Sequence, residues 1–337
     1  MSYKRNYNWE RAKKGITSPL NLIIILVLII VVGVVAYLLL FSGSSATIGF
    51  GTKTVSGKVG QLLAQDGYEW TVSQLSHNAT AGNTTAISGQ EFLSVFVTLT
   101  SGGNIDLGNM FFQDKAPFLA DSDNFYYPLV RDSTAKSPPL GKIASTLKKG
   151  DKTDGWLTFQ VPTSAKGLVL SFDPPNAGLG QVPILFKVAL DDSPAAAPSS
   201  TQAVGTKGNL NQTVGEGPYF MTVTQVEVAA QLNQGSSPTK AAADQQFVSM
   251  EVIMESRVDL SALVNSNDFS LKSGDGFKFK RTGASKKPEL QVISALPKGL
   301  KTRGWLTFTL PKTAKGLTLE LNTTGQRQAF LQVNLGV

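Results

Sequence analysis

Two hydrophobic periods divide the chain. From Leu22 to Phe41 every residue is apolar or glycine, and a helix of that length, rising about 1.5 Å per residue, spans roughly the 30 Å of a bilayer's hydrocarbon core. Beyond Gly51 the pattern becomes an alternation. In FLSVFVTL, Phe92, Ser94, Phe96 and Thr98 point one way and Leu93, Val95, Val97 and Leu99 the other, which is the period of a strand. Further short strands are predicted in YEWTVSQL, WLTFQV, GLVLSF and PILFKV, separated by Gly, Asn, Asp and Pro clusters. Many short strands without a convincing amphipathic helix predict an all-β fold of sandwich type.

The strand pattern is duplicated. GWLTFQVPTSAKGLVL from Gly155 is answered by GWLTFTLPKTAKGLTL from Gly304, with eleven of sixteen positions identical. A repeat spaced by about 150 residues is far longer than a solenoid period and means duplication of a whole domain. The match extends outward: LKKG at Leu147 pairs with LPKG at Leu296, FLSVFVTL at Phe92 with FVSMEVIM at Phe247, TVSQL at Thr71 with TVTQV at Thr222, and GTK at Gly51 with GTK at Gly205. Between the copies lies DDSPAAAPSSTQAV, a Pro/Ala/Ser-rich linker with little to bury. The predicted organisation is a basic leader over 1–15, an apolar helix over 16–43, sandwiches over 51–190 and 205–337, and a linker over 191–204. Such a linker predicts two beads with limited mutual contact.

Charge sharpens the reading of the N-terminus. Lys4, Arg5, Arg11, Lys13 and Lys14 against Glu10 place four of the seven net positive charges ahead of the apolar run. Ser42 to Thr52 carries none. Positive flanks stay in the cytoplasm, so the bulk of the chain is expected outside, at the cell membrane and cell surface. The remaining charge is too small and dispersed for a nucleic-acid surface. The apolar run is longer than the 7–15 residues or so of a cleaved secretory signal, although Ser44-Ser45-Ala46 has the small residues of such a site. Ser18-Pro19 suits a helix start, through capping by serine and the tolerance of the first turn for proline.

Lys13-Lys14-Gly15, the Ser-Pro turn and the long apolar helix together resemble the class III signal of archaeal type IV pilins and archaellins. The resemblance implies cleavage between Gly15 and Ile16, and a helix that bundles with copies of itself in a filament. It covers about the first 43 residues; the glutamate usual in bacterial pilins five residues into the mature chain is here Leu20. The external region resembles an Ig-like extracellular domain family of unknown function, through SVFVTL, DSDNFYY and PPLGKIASTLKKGDKTDGWLTFQVP, and in the second copy SGDGFKF and LPKGLKTRGWLTFTLP. That resemblance implies two tandem Ig-like antiparallel β-sandwiches behind one transmembrane or pilin-like helix.

Little chemistry is on offer. The chain has no cysteine and a single histidine, His77, which follows a predicted strand and reads as a solvated loop residue, so a thiolate site, a zinc site or a Ser-His-Asp relay has little basis. No enzymatic activity, cofactor or metal is expected. Trp156 and Trp305, with Phe159 and Phe308 and Pro162 and Pro311, recur at equivalent positions. They read as core packing before they read as a sugar-stacking platform. Ala120–Asn124, ADSDN, has the carboxylate spacing of a partial calcium loop, with Asp191-Asp192 as further candidate ligands, but KSGDGF in the second copy loses the pattern and a β-turn explains both. Asn78, Asn83, Asn211 and Asn322 each head an N-x-S/T sequon.

The expected function is therefore non-enzymatic: a pilin-like subunit of an extracellular filament for adhesion or motility, assembled through its N-terminal helix. The alternative is a single-pass anchored surface protein displaying two Ig-like domains. The expected partners are the membrane, copies of the chain, and a surface protein or glycan.

Overall fold

The computed structural model of the chain describes residues 52–107, 116–130, 136–140, 146–174, 183–191, 202–234, 237–258, 268–290, 296–322 and 331–337. The leader, the apolar segment and the junction of Gly15 with Ile16 lie outside these residues. Among the described residues no helix is long and apolar enough to cross a membrane.

The first module runs through β1 (Lys53–Lys58), β2 (Leu62–Gln65), β3 (Tyr68–Asn78), β4 (Thr80–Ala81), β5 (Thr84–Thr85), β6 (Gln90–Thr100), β7 (Ile105–Asp106), β8 (Phe118–Ala120), β9 (Tyr126–Pro128), β10 (Thr146–Leu147), β11 (Lys152–Pro162), β12 (Val169–Phe172) and β13 (Ile184–Ala189). The second continues with β14 (Lys207–Asn209), β15 (Thr213–Glu216), β16 (Tyr219–Ala229), β17 (Gln231–Gln234), β18 (Ser237–Lys240), β19 (Gln245–Ser256), β20 (Phe269–Lys272), β21 (Lys278–Lys280), β22 (Lys301–Pro311), β23 (Thr318–Leu321) and β24 (Leu331–Asn334).

Each module is a two-sheet β-sandwich. In the first, a sheet of order β1-β13-β12-β8-β9 faces one of order β11-β6-β3-β2. In the second, β14-β24-β23-β20-β21 faces β15-β16-β19-β22. Pairing is antiparallel except at one edge, where the opening strand of each module runs parallel to its last: Lys53–Lys58 beside Ile184–Ala189, and Lys207–Asn209 beside Gln332–Asn334. Even an irregularity is duplicated. The register shifts between Val72 and Gln74 in β3 and between Val223 and Gln225 in β16, which re-aims the strand end as a bulge does.

Alternation builds the cores. Leu93, Val95, Val97 and Leu99 of β6 join Trp70, Val72, Leu157, Phe159 and Val161 of the same sheet against Leu119, Leu170, Phe172, Phe186 and Val188 of the other. Each such side chain contributes about 1.5–3 kcal/mol on burial. Trp70 stacks on Phe172 across the sheets at 4.3 Å between ring centroids, and Phe172 on Phe186 at 6.5 Å. In the second module Met221, Leu321 and Leu331 hold the same places. That core is aliphatic where the first is aromatic.

The modules are not separate beads. Lys53–Val337 forms one compact unit. The turn before β9 meets the outer edge of β22: Phe125 bridges Lys301 in parallel fashion, the Lys301 N–H donates to the Asn124 carbonyl at 2.8 Å, and the Arg303 guanidinium lies 3.9 Å from the Phe125 ring centre.

Candidate functional site

The duplicated Gly-Trp-Leu-Thr-Phe segment is a structural latch. Leu157 and Phe159 point into the inter-sheet core, so Trp156 and Thr158 point outward, and the same parity holds for Trp305 and Thr307. The tryptophans are nevertheless buried, at 8% and 5% exposure, because a second segment lies over each. Residues 136–140 cover Trp156 and residues 286–290 cover Trp305. Each cover contains a cis X-Pro bond, Ser137-Pro138 or Lys287-Pro288.

The same bonds tie both covers down. Trp156 N–H donates to Pro138 O at 2.9 Å and Leu140 N–H to Trp156 O at 3.1 Å; Trp305 N–H donates to Pro288 O at 2.8 Å and Leu290 N–H to Trp305 O at 3.0 Å. Beneath the covers, the buried hydroxyl pairs Ser94–Thr158 and Ser249–Thr307 each meet at 2.9 Å. Thr158 and Thr307 also accept from the backbone N–H of Lys136 and Lys286. The lysine ammonium groups then sit 3.9 and 3.7 Å from the Trp156 and Trp305 ring centres. The paired tryptophans are thus sealed on an outer sheet face, not set in the inter-sheet core, and offer no platform for a sugar.

ADSDN folds as a β-turn whose carboxylate is already engaged. Asp121 Oδ1 accepts from the backbone N–H groups of Asp123 and Phe125, both at 2.9 Å, and Oδ2 accepts the Tyr127 hydroxyl at 2.5 Å. Burial, followed by the hydrogen bond and charge of Asp121, pushes the Tyr127 phenol far above its ordinary value. The second copy makes the same turn with Ser273, whose hydroxyl is bonded to Asp275. Asp191 accepts from the Leu168 N–H at 3.3 Å, and Asp192 lies outside the described residues. No cluster of potential metal ligands occurs among the described residues.

His77 ends up inside β3 rather than in a loop, with Nδ1 2.8 Å from Glu91 Oε1. Three sequons are exposed: Asn78 at the end of β3, Asn83 in the β4–β5 turn and Asn211 in a left-handed turn at φ 66°. Asn322 is half-buried after β23. Catalytic and cofactor-binding residues were not expected, and the processing residues Gly15 and Ile16 lie outside the described part.

What the docking does create is a cleft of about 490 Å³ between the modules. Phe125, Tyr126, Gln90 and Gln160 come from the first module and Glu251 and Arg303 from the second. Thr224 donates to Glu251 Oε2 at 2.5 Å, which orients that carboxylate. On the rim, burial draws the Glu289 carboxyl upward, but the hydrogen bond and charge of Arg281, with Lys287 beyond, outweigh it and hold the group below its ordinary value. Aromatic rings, amides, carboxylates and a guanidinium line one concavity. The cleft has no motif of its own. Its only trace in the sequence is that the repeat departs from itself there, with Arg303 where the first copy has Asp154.

Fold and site together define a tandem β-sandwich protein with a cleft between its modules. The chain belongs to the family Domain of unknown function (DUF4352), which matches at residues 57–182 and again at 208–328. No curated protein matches the chain. Among solved structures, the yjhA protein of Bacillus subtilis is 21% identical, with 38% of this chain and 99% of that one covered at a TM-score of 0.30. The secreted protein MPT63 of Mycobacterium tuberculosis is 14% identical, covering 41% and 99% at a TM-score of 0.31. An uncharacterized beta-sandwich protein of Clostridium difficile 630 is 10% identical, covering 41% and 97% at 0.27. Each matches about two-fifths of this chain, and TM-scores this low transfer no role.

Proposed function

We propose that the chain is a non-enzymatic cell-surface protein that presents two immunoglobulin-like modules outside the cell and binds a glycan in the cleft between them. The fixed docking of Phe125 on the β22 edge carries this reading, because it turns two copies of one fold into a single concave surface that neither copy has alone. With the extra strands β1 and β2 set aside, the orders β3-β6-β11 and β13-β12-β8-β9 correspond to the A-B-E and G-F-C-C′ arrangement of an immunoglobulin sandwich, which supports the finer fold reading. The basic leader ahead of Leu22–Phe41 supports a membrane-linked, outward-facing topology.

A glycan array probed with the full chain tests the cleft. A defined set of glycans should bind, and Tyr126→Ala and Glu251→Gln should each weaken that binding at least about tenfold, as loss of one well-placed stacking or hydrogen-bonding group does. A wild-type chain that binds no glycan, or variants that bind as well as it does, overturns the reading.

A second reading is favoured by Lys13-Lys14-Gly15 before Ile16: a pilin-like filament subunit, processed at that junction and assembled through its N-terminal helix for adhesion or motility. Mass spectrometry of the mature chain separates the two. A start at Ile16 supports the filament subunit, and an intact leader supports the permanent anchor.

A further inference from the structure

Phe277 is 67% exposed, more than any other large hydrophobic side chain among the described residues. It stands at the tip of the β20–β21 hairpin, where Phe125 stands on β8–β9. The two turns correspond bond for bond. Asp121 N–H donates to Phe125 O at 3.1 Å and Ser273 N–H to Phe277 O at 2.9 Å, with Asn124 at φ 67° and Gly276 at φ 92° just before the two phenylalanines. Phe125 uses this position to dock on β22, beside Lys301 and under Arg303. Alignment of the two Gly-Trp pairs makes Lys152 and Asp154 of β11 the counterparts of Lys301 and Arg303. β11 is likewise an edge strand, Lys152 and Asp154 are exposed, and among the described residues the Phe125–Lys301 bridge has no counterpart at Lys152.

One chain therefore holds this contact once completed and, at its two ends, both halves of a second one. We infer that the halves meet between copies: the Phe277 hairpin of one chain docks on the Lys152–Asp154 edge of the next, head to tail.

Charge identifies a second copy as the occupant. The Phe125 hairpin carries Asp121 and Asp123 and no basic residue, and it lands on Lys301 and Arg303. The Phe277 hairpin carries Lys272, Lys278 and Lys280 against Asp275, with Lys278 paired to Glu320, and its target edge carries Asp151 and Asp154 on either side of Lys152, after Lys148 and Lys149. The hairpin turns from acidic to basic, and the edge position that faces it turns from Arg303 to Asp154. Each contact joins opposite charges, while a Phe277 hairpin placed on Lys301 and Arg303 would set cation against cation. A heterologous contact of this kind leaves one hairpin and one edge unused after each addition, so it repeats along a line. The sandwiches alone make it. It goes beyond the function proposed above and does not depend on how the N-terminal segment is processed.

The absence of cysteine makes the test direct. Paired residues of a β-bridge lie within the Cα separation of about 4.4–6.8 Å that a disulfide spans. In the full chain, oxidised Phe125→Cys/Lys301→Cys should close within one molecule. Lys152→Cys/Phe277→Cys should give a ladder of covalent multimers on a non-reducing gel, and each single variant should stop at the dimer. A double variant that yields no ladder under conditions where the Phe125–Lys301 pair closes overturns the inference.

Sedimentation velocity supplies the second arm. Phe277→Ser and Asp154→Lys should each weaken the concentration dependence of the wild-type sedimentation coefficient, leaving only the transient contact that a disulfide can trap. Association unchanged by both variants runs through another surface and overturns the inference, leaving glycan binding and processing at Gly15 to their own tests.

Discussion

Leu140 crosses Gly155 so closely that a Cβ on the glycine would lie 2.5 Å from the leucine's backbone nitrogen, and Leu290 crosses Gly304 closer still, with its Cα 2.3 Å from the same point. Backbone atoms tied by the Trp156 and Trp305 bonds cannot swing away like the end of a side chain. Gly155→Ala should therefore destabilise the first module by about 1–3 kcal/mol, the cost of overpacking, and Gly304→Ala the second by a similar amount. Gly283 has open space around it, so Gly283→Ala should stay within about 0.5 kcal/mol. Urea denaturation followed by tryptophan fluorescence checks all three.

Below the latch, Thr158 bonds to Ser94 and also accepts from Lys136. Thr158→Val keeps the shape and strands two polar groups, at a cost of about 1–3 kcal/mol. Adding Ser94→Ala should recover part of that loss, since a buried hydroxyl without a partner is then removed. A double-mutant cycle measures the coupling, and strictly additive costs would show that the hydroxyls do not depend on each other.

Trp70 combines a favourable stack with an unfavourable polar atom. Its ring lies 14° from parallel with Phe172, yet its indole N–H is buried without a hydrogen-bond partner among the described residues. Trp70→Phe keeps an aromatic face and removes the stranded donor, so it should cost less than about 1.5 kcal/mol, against about 3–5 kcal/mol for Trp70→Ala. Thermal melts of the two variants distinguish the stack from the bare volume.

The Glu289 carboxyl is held below its ordinary value of 4.5, the pull of Arg281 and Lys287 exceeding the opposing effect of burial. A carboxyl whose value is lower folded than unfolded stabilises the fold above the unfolded value, and that stabilisation fades as pH falls through the folded one. The second module should accordingly lose stability below about pH 4.5. Glu289→Gln should be less stable at neutral pH and should show a smaller difference between neutral pH and about pH 3. Denaturation curves at the two pH values measure it; an unchanged difference would assign the acid sensitivity to other groups.

The duplication and the strand period were legible because both are properties of residues close together in sequence. Leu93 to Leu99 declares its two faces without help from the rest of the chain. The same parity, applied to Trp156 and Leu157, already separates the tryptophan from the core side. What covers the tryptophan is harder to foresee, since residues 136–140 have no apolar signature and gain their role only through contact with a strand that begins twelve or more residues further on. His77 reads as loop because polar residues dominate the end of β3, yet an outward-facing strand end tolerates them. Docking of the modules depends on a single phenylalanine in a turn and a single arginine on an edge. Neither belongs to a motif, and a composition-based view of the linker pointed towards independence.

The parallel pairing of first and last strands sets how each module bears load. A pull between the two ends of the first module draws β1 towards its N-terminus and β13 towards its C-terminus, so the strands slide past each other and the ladder from Lys53–Ile184 to Lys58–Ala189 is strained all at once. In the second module the same arrangement holds only Lys207 to Asn209 against Gln332 to Asn334. Under tension along the chain, the second module is the one that gives way first, and the first acts as the stronger link nearer the N-terminus.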